Sequence, residues 1–203
     1  MPRRVLIPIL AALVALAAAA AFVFLRGDGP RAAVFAGEPT SAQYAVIDTA
    51  VLDPAPLTEA EVLGPATATL TSGGVSMVRE SAALLTDCGE VMWGAQAAGC
   101  TQVVRAAYTS ADRTVAGEFF LFNLADGRAA DALVSELRTS GFVRQAATFD
   151  VSRSRAQARA LGHFVTVSWV GPVGGGKPDL AHPQIALDGL GRTVISARVI
   201  AAT

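Results

Sequence analysis

The chain has 203 residues, 52% of them hydrophobic and 16% charged, with a formal net charge of −1. So much apolar content excludes a disordered chain, which is poor in apolar residues and rich in charge. A near-neutral balance leaves no basic footprint, so no nucleic-acid partner is expected.

Part of the apolar excess is local. Val5 to Leu25 is a run of 21 residues with no charge and one proline, Pro8. About 20 apolar residues rising 1.5 Å each cross a hydrocarbon core of roughly 30 Å. A cleavable signal has a shorter apolar region that ends at small residues. Here Ala17–Ala21 is followed by Phe22, Val23, Phe24 and Leu25, which prolong the run. Residues 5–25 are therefore read as an uncleaved anchor whose partner is the lipid bilayer. Arg3 and Arg4 precede the run and favour an N-terminus inside. Arg26 and Arg31 follow it and weaken that bias.

Residues 26–73 have the composition of an acidic, proline-containing linker. Between 27 and 62 six acidic residues stand against Arg31 alone, a net of −5, and Pro30, Pro39, Pro54 and Pro56 punctuate the stretch. Such a segment reads as an extended tether. Thr58 with Glu61 forms a capping box for a short helix that Gly64-Pro65 ends.

Residues 74–203 are expected to be one extracytoplasmic α+β domain, a small antiparallel sheet with flanking helices. Cys88 and Cys100, the only cysteines, stand 12 positions apart with no C-x-x-C and no finger spacing to His163 or His182. A structural disulfide is the leading reading, with unpaired thiols as the alternative. A disulfide needs Cα atoms within about 7 Å, whereas an unbroken helix over 88–100 would hold them about 18 Å apart. The expectation is a two-turn helix over Val91–Ala98, with Gly89 and Gly99 turning the chain back. Asp87 and Glu90 form a carboxylate pair that reads first as a capping box.

Cys100–Thr109 and Arg113–Leu124 read as two strands joined at Ser110-Ala111-Asp112. Phe119, Phe120, Leu121 and Phe122 are apolar on both faces, so the second strand should be central and covered on each side. Asp126 caps a helix whose Ala130, Leu133, Val134 and Leu137 follow helical spacing, with Gly141 as its stop. Gly162–Val170 reads as a strand with His163, Val165, Val167 and Trp169 on one face. After the loop GPVGGGKP, residues 183–201 read as a helix, against which Gly189, Gly191 and several β-branched residues stand as arguments for a strand.

Catalytic patterns are missing from the sequence. No G-x-S-x-G occurs, and Gly174–Gly176 lack the ending of a phosphate loop. His163 reads as a packed strand residue and His182 as a capping or solvated one. No cofactor or metal is expected. Residues 151–178 carry Arg153, Arg155, Arg159 and Lys177 with no acid, a candidate anion-binding patch beside its plainer reading as a solvated surface.

The stretches GCTQVVRAAYTSADRTVAGEFFLFNLAD, ARALGHFVTVSWVGP and IALDGLG resemble uncharacterised single-pass membrane proteins with extracytoplasmic domains from high-GC Gram-positive bacteria. The resemblance spans residues 80–195. It implies a domain beside the plasma membrane and supplies no site residues. The leading reading is thus a plasma-membrane-anchored binding, sensory or interaction domain, with an envelope ligand or membrane protein as partner. A cell-envelope hydrolase using an acid pair or His163, and a purely structural envelope protein, remain the alternatives.

Overall fold

The computed structural model describes residues 29–203. The expected anchor, residues 5–25, lies outside them. Among the described residues no helix is long and apolar enough to cross a membrane.

In chain order the elements are β1 (Val34–Glu38), α1 (Glu59–Leu63), β2 (Thr69–Ser72), β3 (Val75–Leu85), β4 (Met92–Trp93), β5 (Gln102–Ser110), β6 (Val115–Asn123), α2 (Gly127–Thr139), β7 (Phe142–Val143), β8 (Arg155–Leu161), β9 (Phe164–Pro172) and α3 (Ala181–Ala202). Seven strands form one sheet in the order β1-β8-β9-β6-β5-β3-β2, and β4 pairs with β7 beside it. The sheet is larger than the small antiparallel one expected. It is also mixed, because β1 runs parallel to β8.

The apolar run in β6 behaves as its sequence demands. Every residue of the strand is buried, and β6 is the fourth of seven. Phe120 and Phe122 pack on one face with Leu133, Val134 and Leu137 of α2. Phe119 and Leu121 pack on the other with Leu187, Leu190 and Val194 of α3. The architecture is helix, sheet, helix, and full burial of each such side chain contributes roughly 1.5–3 kcal/mol.

Asp126 caps α2, accepting from the Ala129 amide at 2.8 Å. The helix ends at Thr139 with Ser140 as its C-cap, so Gly141 follows the end as expected. Gly141 has a second reason to be glycine: a side chain there would run into the backbone of Trp93, Gly94 and Ala95. Residues 183–201 lie in α3, so the helical reading holds over the strand. Leu187, Leu190, Val194 and Ile195 bury its inner stripe.

The tether expected over 26–73 is not what its described part forms. Val34–Glu38 is an edge strand of the sheet. Ile47, Leu57, Val62 and Leu63 are all buried in the α3-side core. Apolar residues at irregular spacing hold this segment down, a pattern that composition alone hides. Thr58 does cap the short helix α1, accepting from Glu61 N at 3.2 Å.

Cys88 and Cys100 form a disulfide with Cα atoms 6.3 Å apart. The two-turn helix expected between them is replaced by a 3-10 turn, Cys88–Val91, followed by β4. Asp87 caps that turn, accepting from Gly89 N at 2.8 Å. Gly99, at φ +69°, swings the chain into β5. Two further strands, β3 and β8, carry no clear signal in the sequence. The second of these places the candidate site.

Candidate functional site in a groove between β8 and α3

In β8 alanine alternates with polar residues over Arg155-Ala156-Gln157-Ala158-Arg159-Ala160. Period-two geometry sends the alanines to one face and Arg155, Gln157 and Arg159 to the other. The alanines are buried in the α2-side core, where their small size admits the helix. The polar three face the α3 side. There α3 covers β9 and β6 but leaves β8 open, and a groove of about 360 Å³ results. Arg155, Gln157 and Arg159 form its floor, and Gln184, Asp188 and Arg192 of α3 form its wall.

The charges in the groove are unevenly engaged. Arg159 donates through Nε to Asp188 at 2.8 Å and also pairs with Glu38 of β1. Arg192, one turn on from Asp188, donates to the same carboxylate at 2.9 Å. Gln157 donates to Glu38 at 2.8 Å. Arg155 is exposed, and its side chain has no hydrogen bond or ion pair with the described residues. Gln184 is buried and spends its amide nitrogen on Ser168 of β9, which leaves Oε1 without a partner. The groove thus offers one uncommitted cation and two cations that share a carboxylate, while the Gln184 acceptor is closed off beneath it.

The expected patch of four cations is split by the fold. Arg155 and Arg159 belong to the groove. Arg153 instead grips the glycine loop, donating to the Gly174 and Gly176 carbonyls and to Asp150. The Ser152 hydroxyl and the Arg153 guanidinium hold the Asp150 carboxyl below its ordinary range. Lys177 is exposed on that loop. Arg192 and Gln184 do not stand out in the sequence as site residues. The signal for Arg192 is its spacing of four from Asp188 in a helical stretch, that of a same-face ion pair.

Neither histidine borders the groove. His163 is buried, with Nδ1 3.0 Å from the Leu124 carbonyl and Nε2 3.5 Å from Asp53. His182 sits beside Asp179 at 2.6 Å and packs on the Gly73 turn. Among the described residues no group of three or more His, Cys, Asp or Glu side chains is placed to hold a metal ion.

One buried acid stands apart. Glu118, in the middle of β6, is fully buried, and its Oε1 accepts from the amides of Ala146 and Ala147 at 2.8 and 3.0 Å. Its Oε2 has no partner. Burial raises its pKa, and the two amides and Arg105 only partly oppose that. It ties the 144–149 segment to the sheet.

Compared with known proteins, the chain matches no protein-family model, no curated protein and no solved structure.

Proposed function

We propose that this chain is a non-catalytic binding domain, held outside the plasma membrane by its N-terminal apolar run, that takes a small anion in the β8–α3 groove. The observation that carries the reading is an uncommitted Arg155 that shares one concave surface with Arg159 and Arg192. A phosphate or carboxylate there meets Arg155 and the outer Arg192, and guanidinium groups bind such oxyanions in a fork. The volume is at the small end of ligand sites, about 300–1,000 Å³.

The anchor is supported by 21 consecutive uncharged residues, and the compartment by the disulfide, which persists where conditions are oxidising. Glycerol 3-phosphate, a small phosphate monoester, is the first probe. In an NMR titration of the full chain in detergent, it should shift the side-chain signals of Gln157, Gln184 and Arg155. Arg155→Ala should weaken that response about tenfold, the share of one charge-assisted contact. Equal response in the variant, or no response from the groove in the wild type, removes the proposal.

A further inference from the structure

The first described residues are packed against the domain. Gly29 packs on the Trp93 indole, where a Cβ would come within 2.6 Å of Nε1. Arg31 donates through Nη2 to the Leu137 and Arg138 carbonyls at 2.8 and 2.7 Å, at the C-terminal end of α2. The apolar run ends at Leu25, four residues earlier than Gly29. Four residues fully extended span at most about 14 Å. Because the expected tether is part of the sheet, nothing longer separates Leu25 from the domain.

The strand register shows what shares that end. Val34 pairs with Arg155, Arg155 with Val170, and Val115 with Pro172. The β5–β6 turn around Arg113 and the loop after β9, Val173–Lys177, therefore project from the end at which the chain enters. Arg113, Arg155 and Lys177 are exposed there, and Val173 is 39% exposed beside three glycines. Arg113 adopts φ +59°, a left-handed conformation that glycine holds at lower cost, so the turn keeps a cation where sterics favour none. Of the acids at this end Glu80 is exposed beside Arg113 and Val173, while Asp112 is occupied by Ser110 and Thr114, Asp150 by Ser152 and Arg153, and Asp179 by Ala181 and His182. Asp48, Asp53, Glu61, Asp87 and Asp126 lie toward the opposite end, where Arg198 engages Asp53 and Glu61. Charge is polarised along the strands.

We infer that the domain sits directly on an anionic lipid surface through the Arg113 turn and the Val173–Lys177 loop. The inference rests on the anchor reading of residues 5–25. Each cation near such a surface is attracted to the headgroups, Val173 enters the interfacial layer, and the acidic pole faces away. Arg153 holds the loop through the Gly174 and Gly176 carbonyls, whereas none of the amides of residues 174–177 donates a backbone hydrogen bond among the described residues, so these amides report on what covers the loop.

The test reconstitutes the full chain into vesicles of phosphatidylcholine alone or mixed with phosphatidylglycerol. Flotation is scored first, then amide hydrogen exchange at 174–177. The expected result is flotation with both lipids and exchange slowed about tenfold only with phosphatidylglycerol. Arg113→Glu with Lys177→Glu should restore fast exchange without changing flotation. Flotation with equal exchange in both lipids overturns the docking and leaves the anchor standing. Failure to float with neutral lipid overturns the anchor; docking then survives only if the chain binds anionic vesicles and the double variant does not. Slow exchange already present in detergent places a second copy of the chain on these loops and overturns the inference.

Discussion

Arg198 and Asp53 lie 145 residues apart, yet Nη1 of the arginine donates to both oxygens of the aspartate, at 3.0 and 2.9 Å. The same guanidinium meets Glu61 at 2.7 and 2.8 Å and the carbonyls of Ala55 and Pro56 at 2.8 and 3.1 Å. Its central carbon lies 5.2 Å from the centre of the Phe164 ring. Burial pulls the arginine pKa down, but the two carboxylates more than offset this and hold it above its ordinary value.

That clamp gives the first prediction. Arg198→Ala leaves Asp53 largely buried without its cation, and breaking one side of such a pair costs about 3–5 kcal/mol. Glu61 is more exposed, so the lower figure is expected. Chemical denaturation of the full chain in detergent measures the loss, and proteolysis should open the 49–58 segment first. Arg198→Lys should recover only part of it, because an ammonium cannot serve both carboxylates and both carbonyls in the same geometry.

Glu118 gives the second. Its folded pKa lies above the ordinary value of 4.5, with burial as the chief cause. The folded state therefore holds a proton that the unfolded chain releases. The group contributes stability that is complete below about 4.5 and is lost as pH rises through the raised value. Glu118→Gln cannot titrate. Plotted against pH, the stability of the wild type minus that of the variant should fall as pH rises above about 4.5. A flat difference would mean that Glu118 is not proton-linked.

The disulfide gives the third. It closes a loop of 12 residues' separation, for which chain entropy predicts about 3 kcal/mol. Cys88→Ala with Cys100→Ala should lose roughly that amount. Alkylation of intact cells should label neither cysteine before reduction, and ready labelling would count against an oxidising compartment.

Much of the fold is legible where side chains alternate or repeat with a strong apolar signal. β6 announces its central place through four large residues on both faces, and α2 through Leu133, Val134 and Leu137 behind the Asp126 cap. β8 does not, because alanine is a poor strand former and Arg-Ala-Gln-Ala-Arg reads as a charged surface. Its inner face needs alanine so that α2 can approach, a tertiary demand that no local pattern carries. The 32–73 segment hides for a related reason. Its acids imply repulsion until Arg198 is brought across the fold. The groove is half visible: Arg155 and Arg159 stand out in the sequence, whereas Gln184 matters only because Ser168 lies opposite it.

The parallel pairing of β1 with β8 has a bearing on how the protein is made. Val34 leaves the ribosome well over a hundred residues before its partner Arg155. During synthesis the first strand must wait for β8, its partner in the sheet, while the chain between them is made. The edge beside β8 therefore closes only after most of the chain has been made, so a truncated chain that stops before Arg155 would leave β1 unpaired.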